Sequence, residues 1–323
     1  MATIRWGIIG CGDVTEVKSG PALYKTRDSE LVAVMRRNED KARDYAARHG
    51  VPKWYDQADA LIADPDVNAV YIATPPDTHA HYTAQVARVG KPVYVEKPMA
   101  RNHGECLAMI DACHRAGVPL FVAYYRRALP AFLKVQSLVE EGAIGAVRFA
   151  SIALCQPASE DPDDLPWRVV PEISGGGYFF DLASHQLDFL DFLLGPIAHA
   201  SGHATNQAGR YRAEDAVTAS FAFESGALGA GVWNFAADQR CDRIEIVGDK
   251  GRIAFSTFAF TPVELTTNAG TQTFAIAPPQ HVQQPLIETV VDALLGRGEC
   301  PSTGASAART SQVMDQIVRS HAA

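Results

Sequence analysis

Through the first third of the chain, short apolar runs alternate with amphipathic stretches of helical length. Thr3 to Ile9, Leu31 to Met35, Ala69 to Ala73, Pro92 to Val95 and Leu120 to Ala123 are rich in Val, Ile and Tyr and predict strands. Between them, Glu39 to His49, Asp77 to Val89 and Gly104 to Ala116 carry apolar residues at helical spacing. Strand and helix repeated at this interval predict an α/β fold with a doubly wound parallel sheet, whose ligand site lies at the carboxyl ends of the strands.

From about residue 124 the pattern changes. Helices are expected over Pro130 to Glu141 and Tyr178 to Leu194, with a proline-rich loop over Gln156 to Glu172. Val147 to Leu154, Ala198 to Thr205, Ala216 to Phe223, Gly229 to Phe235, Asp242 to Val247 and Arg252 to Phe255 read as strands joined by turns such as Glu224-Ser225-Gly226. This predicts a second, α+β domain with a large, mostly antiparallel sheet. A closing helical pair falls at Gln284 to Leu295 and Gly304 to Arg319. The change of pattern and the length predict two domains, residues 1–123 and residues 124–323.

Composition narrows the class. Of 323 residues, 47% are hydrophobic and 20% charged, as in ordinary globular proteins, and the net charge of −8 comes without a basic stripe. Neither nucleic acid nor an anionic membrane is an expected partner. Six scattered cysteines (Cys11, Cys106, Cys113, Cys155, Cys241, Cys300) form no CxxC pair and no metal-ligand spacing, so they read as buried or incidental thiols and no metal is expected. With neither a signal peptide nor a long apolar run, a cytoplasmic protein is expected.

The first candidate site is Gly7-Ile8-Ile9-Gly10-Cys11-Gly12-Asp13-Val14, a GxG turn between the first strand and the first helix. There, backbone N–H groups can approach a pyrophosphate. Thr15 replaces the third glycine, and the motif alone leaves an ordinary strand-to-helix turn open. At the end of the second strand, Arg36 and Arg37 stand where NAD enzymes place a carboxylate, with Lys41 about one turn into the next helix. Guanidinium groups suit a ribose 2′-phosphate, so NADP(H) is the preferred cofactor and NAD(H) the alternative; a solvated basic turn is the plain reading. Thr74-Pro75-Pro76-Asp77 ends the third run stiffly, with Asp77 expected to cap the next helix. His79 is either a helix-surface residue or a cofactor contact.

Val95-Glu96-Lys97-Pro98 puts a carboxylate and an ammonium at the carboxyl end of a central strand. Alone, Lys97 could be an ordinary exposed lysine. Further along, Ser174-Gly175-Gly176-Gly177 permits close backbone approach to a ligand and leads into an apolar helix. On it, Asp181, His185 and Asp188 make one polar stripe at i, i+4 and i+7. Such a stripe either forms a paired network in the core or walls a site.

Taken in order, the N-terminal GxG, Glu96-Lys97-Pro98, Tyr125-Arg126-Arg127 with Pro130, Trp167-Arg168, and Gly176-Gly177 leading to Asp181 and His185 resemble the glucose-fructose oxidoreductase/inositol dehydrogenase (Gfo/Idh/MocA) family over essentially the whole chain. The resemblance implies a Rossmann domain and a second domain whose open sheet serves homo-oligomerisation as a dimer or tetramer. It implies Lys97 polarising a reacting oxygen, His185 exchanging its proton and Asp181 orienting substrate or imidazole. It assigns Gly10, Gly12, Asp13, Val14, Thr74, Pro75, Pro76 and Glu96 to the cofactor. Tyr125, Arg127, Trp167 and Arg168 fall to a sugar, cyclitol or keto-sugar substrate. Many members carry Asn where this chain has Tyr125. Dihydrodiol oxidation, a cofactor-retaining epimerase or hydrolase, and a non-catalytic dinucleotide sensor are the rival readings.

Overall fold

The computed structural model describes residues 3–319, and the chain divides into two units. The first contains Met1–Ala100, Gly104–Leu129 and Pro279–Ala308, and the second Arg101–His103, Pro130–Pro278 and Arg309–Ala323. The observed division departs from the expected single one after residue 123: Arg101–His103 passes to the second unit. The boundary falls at Leu129, and a late segment returns to the first unit.

The first unit is built on six strands: β1 (Ile4–Ile9), β2 (Ser29–Met35), β3 (Lys53–Tyr55), β4 (Ala69–Ile72), β5 (Val93–Val95) and β6 (Leu120–Val122). They pair in the order β3-β2-β1-β4-β5-β6, all parallel. Helices α1 (Asp13–Val17), α2 (Gly20–Lys25), α3 (Glu39–His49), α4 (Ala58–Ala63), α5 (His79–Arg88) and α6 (His103–Ala116) connect them. Helix α3 is bounded as its sequence signals require. The Asn38 side chain accepts from Lys41 N at 3.0 Å, and Gly50 closes the helix in the left-handed conformation. Every residue of β4, β5 and β6 is buried, as expected where crossovers cover both faces of a sheet.

In the second unit, eight strands follow α7 (Pro130–Glu140): β7 (Val147–Cys155), β8 (Ile197–Thr205), β9 (Ala216–Phe223), β10 (Leu228–Asn234), β11 (Cys241–Gly248), β12 (Gly251–Phe255), β13 (Val263–Thr267) and β14 (Gly270–Phe274). Their order is β14-β13-β12-β11-β7-β10-β9-β8, antiparallel except for the β7–β10 pair. The β13–β14 hairpin was absent from the expected strands. One face carries the core, including Trp233, Phe221, Ile244 and Ile253, against which α9 (Ser184–Leu194) and α7 pack through Phe189, Phe132 and Phe255. The other face is open, with Phe149, Leu228 and Val232 exposed. A short α8 (Pro171–Ser174) precedes the glycine turn; α10 (Gln284–Leu294) belongs to the returning segment, and α11 (Gly304–Arg319) closes the described chain.

Candidate active site

The glycine turn lies at the carboxyl end of β1. Gly10 has φ +91°, and a Cβ there would meet Thr74 Cγ2 at 2.7 Å, so the ends of β1 and β4 can close up only around a glycine. The N–H groups of Gly10 and Cys11 donate to Met35 O at 2.9 and 3.1 Å. Those of Gly12, Asp13 and Val14 have no backbone or side-chain acceptor among the described residues. A Cβ on Gly12 would find only Gly10 O, at 3.9 Å. Open donors beside an uncrowded glycine fit a dinucleotide pyrophosphate.

The helix expected to follow is broken into α1 and α2. Thr15, in place of the third glycine, is fully buried and donates from Oγ1 to Gly12 O at 2.7 Å. Close packing passes instead to Gly20, where a Cβ would collide with Thr15 O and Tyr45 Oη. Beside the turn, Arg36 Nη1 reaches Cys11 O at 3.3 Å, while Arg37 and Lys41 are exposed. Burial pushes the Cys11 thiol up to about 11, so this cysteine stays protonated.

At the end of β4, Thr74 and Pro75 are partly exposed and Pro76 is buried. The expected Asp77 cap is absent. Residues Pro76–Thr78 form a 3₁₀ turn, and Thr78 Oγ1 instead donates within it to Pro75 O at 3.0 Å. His79 is neither a surface residue nor open to a cofactor. It is fully buried, with Nε2 2.7 Å from Thr74 O and Nδ1 3.1 Å from both Pro98 O and Met99 O. Its ring ties the end of β4 to the turn after β5, and burial lowers its affinity for a proton.

Lys97, half-buried, follows β5 directly. Glu96 beside it is buried and enclosed by donors: Tyr71 Oη at 2.5 Å and Gln283 Nε2 at 2.6 Å on Oε1, and Lys97 N at 3.1 Å on Oε2. The expected cofactor contact at Glu96 is thus an internal anchor. Neither Tyr71 nor Gln283 carries a local sequence signal of this role. Tyr125 and Arg127, expected to face substrate, are buried; Arg127 Nη1 donates to Pro301 O at 3.0 Å, and Arg126 lies 5.0 Å over the Tyr125 ring.

The second unit supplies the other candidate residues. Its three glycines approach protein, not open space. A Cβ on Gly175 would strike Arg101, one on Gly176 the Phe180 ring, and one on Gly177 Glu214 O at 2.5 Å. Glu214 Oε1 also accepts from Gly177 N at 2.7 Å, and burial holds its carboxyl up at about 7. The helix expected over Tyr178 to Leu194 begins as a π-turn, Phe179–Ala183, before α9. Asp181 thus lies on the π-turn and His185 in the first turn of α9, and both are buried.

Asp181 accepts from Arg168 Nε at 3.1 Å, and the same guanidinium lies 4.6 Å over the Trp167 ring. These three predicted residues therefore meet. His185 is 3% exposed and packs edge-on against Phe258. Farther along α9, Asp188 accepts from Thr310 at 3.4 Å and Asp191 binds Arg309 through both oxygens, so the far end of the stripe is an internal network. Gln186, beside His185, bonds Trp233 Nε1 at 2.7 Å and Thr257 Oγ1 at 3.1 Å and locks the helix rotation. Among the described residues no group of three or more His, Cys, Asp or Glu could hold a metal, and no helix is long and apolar enough to cross a membrane.

A nucleotide-compatible turn on a doubly wound sheet in one unit, and an open-faced α+β sheet in the other, define a two-unit nucleotide-binding architecture. The profile of an oxidoreductase family with an NAD-binding Rossmann fold matches residues 4–124, and that of the GFO/IDH/MocA C-terminal domain matches residues 132–254. The chain belongs to the Gfo/Idh/MocA oxidoreductase family. Oxidoreductase P35 of Formosa agariphila is 42% identical across 97% of each chain. Myo-inositol 2-dehydrogenase of Thermotoga maritima is 31% identical, covering 83% of this chain and 79% of that protein. Among solved structures, levoglucosan dehydrogenase in complex with NADH and levoglucosan superposes with a TM-score of 0.88 at 25% identity, over 99% of this chain and 97% of the other.

Proposed function

We propose that the protein transfers a hydride between NADP(H) and a carbinol or ketone carbon of a sugar, cyclitol or keto-sugar in the cytoplasm. The observation that carries this reading is Lys97, held by an anchored Glu96 at the carboxyl edge of the sheet that carries the glycine turn. The relatives named for myo-inositol and levoglucosan support the substrate class. Gly10, Gly12, Asp13 and Val14 would hold the pyrophosphate, with Thr74, Pro75 and Pro76 along the rest of the cofactor. Arg36, Arg37 and Lys41 would meet a 2′-phosphate. The bound nicotinamide supplies hydride acceptance and donation.

Oxidation of a carbinol also requires loss of its hydroxyl proton. Lys97 Nζ stabilises the developing alkoxide and a ring nitrogen of His185 takes the proton, returning it in the reductive direction. Asp181, braced by Arg168, orients the substrate, and Trp167 offers an apolar ring face to a sugar. Tyr125 and Arg127 shape the wall from their buried positions. A second copy of the chain covers the exposed Phe149, Leu228 and Val232 on the open sheet, giving a homo-oligomer.

The test is a panel of myo-inositol, levoglucosan, 1,5-anhydro-D-fructose and related keto-sugars, followed by the absorbance of reduced nicotinamide with each cofactor. Lys97→Ala and His185→Ala should each lower turnover about 10²-fold or more with the fold intact. Near-normal turnover in either variant overturns the assignment. Tighter binding of NADH than NADPH, or an unchanged preference in Arg36→Asp, overturns the cofactor choice.

A further inference from the structure

We infer that Gln283 is a positioning residue for Lys97, acting through Glu96. The inference rests on the reading of Lys97 as the group at the chemical step. Gln283 lies 187 residues beyond Glu96, is fully buried, and occupies the N-cap of α10 without capping it by its side chain. Its amide is committed elsewhere. Nε2 donates to Glu96 Oε1 at 2.6 Å and Oε1 accepts from Tyr94 Oη at 3.1 Å, while its backbone N–H donates to Lys18 O at 3.2 Å.

Glu96 can then do one thing well. With Oε1 held by Gln283 and Tyr71, Oε2 turns back to accept from Lys97 N, the backbone of the residue to be aimed. Burial pushes the phenols of Tyr71 and Tyr94 well above their ordinary value, so both remain donors, and their stacked rings, 4.9 Å apart, hold the hydroxyls in place. Tyr71 Oη lies 3.1 Å from Ser19 Oγ as well, which adds the segment before α2 to the anchor. A carboxylate with three charge-assisted bonds from three chain segments has one low-energy orientation. Without Gln283 the carboxylate keeps only Tyr71 on Oε1 and can rotate, and the Lys97 turn moves with it. The titratable groups around this carboxylate are Tyr71 on β4, Tyr94 on β5, His79 on α5 and the adjoining Lys97, with Tyr125 and Cys300 beyond Tyr94.

Two variants of the full chain test this. Gln283→Leu removes the donor. Gln283→Glu makes it conditional, because two carboxyls at hydrogen-bond distance share one proton, and the protonated form donates to Glu96 as the amide does. The probe that needs no substrate is competitive acetylation of lysines by acetic anhydride, with Lys97 read against the other lysines. In Gln283→Leu the relative rate at Lys97 should change about threefold or more, with kcat about tenfold lower and NADPH affinity and KM within about twofold. Gln283→Glu should match the parent near about pH 5.5 and Gln283→Leu near about pH 8.5, a dependence that a packing role would not create. Should Gln283→Leu fail to fold, the two pH arms of Gln283→Glu decide alone.

Unchanged Lys97 acetylation in both variants at both pH values overturns the inference. So does a loss of NADPH affinity with unchanged acetylation and kcat, which would make Glu96 a cofactor contact. Failure of the underlying reading looks different: Lys97→Ala would keep its turnover while Gln283→Leu still altered acetylation.

Discussion

The two sheets answer one requirement, burial of apolar strand faces, in opposite ways. In the parallel sheet of the first unit, β4, β5 and β6 are buried at every position, since each crossover lays chain across one face or the other. What remains open is the edge where the strands end, and there stand Gly10, Gly12, Thr74 and Lys97. In the second sheet the hairpins need no crossover, so β9 and β10 alternate between buried and exposed residues and one whole face is left open. A covered sheet offers its strand ends to a ligand, and a half-covered sheet offers a surface.

Core truncation sharpens this contrast most. Ile8 is fully buried at the centre of the parallel sheet, and Ile8→Ala should cost about 2–5 kcal/mol in denaturant unfolding. A loss below about 1 kcal/mol would mean that the sheet is less tightly covered than described. Next comes the carboxyl that accepts from Gly177 N in the second unit. Glu214 titrates near about 7 in the folded chain, raised first by burial from an ordinary value of 4.5, so its contribution to stability is complete below pH 4.5 and is lost as pH rises through 7. Glu214→Gln removes that loss. Thermal melts should show the variant gaining up to about 2 kcal/mol on the parent at about pH 8, after allowance for partial exposure, with the gain vanishing below about pH 5. A gain independent of pH would place the cause elsewhere. The smallest effect on chain stability belongs to the open face, where Leu228→Lys should change unfolding by less than about 0.5 kcal/mol. The same variant should lower the molar mass by light scattering, and an unaltered mass would remove Leu228 from any interface.

The elements legible in the sequence were those with a strong local period. Glu39–His49 and Ala216–Phe223 fall where their patterns place them, and the strands ending at Ile9 and Met35 are right at the ends that matter for the site. Short elements escape: β3, α4 and the β13–β14 hairpin are each too short to set a period. The candidate chemistry divides similarly. Gly10, Gly12 and Lys97 lie where strand ends put them, and the Trp167, Arg168 and Asp181 contact is close in sequence. Local motifs say nothing about what a side chain meets from far away. A cofactor contact is therefore expected of Glu96 and is one of two readings of His79, whereas His79 turns to three backbone carbonyls and Glu96 to Tyr71 and Gln283. The single helix expected over Tyr178 to Leu194 differs for another reason, because a π-turn has no signature in a pattern of apolar residues.

The return of Pro279–Ala308 to the first unit has a consequence in the order of synthesis. As the chain leaves the ribosome, residues through Leu129 emerge with their strands complete but β6 still an uncovered edge. Ser302 donates to Val122 O at 2.6 Å and accepts from Val122 N at 3.2 Å only after the Pro130–Pro278 stretch of the second unit has been made. The anchor of Glu96 waits for the same stretch of message, because Gln283 precedes Ser302 by a single helix and a turn. The nucleotide-binding half is thus begun first and completed only after Pro278 has been made, and a nascent chain halted before residue 279 would carry the glycine turn without a completed edge beside it.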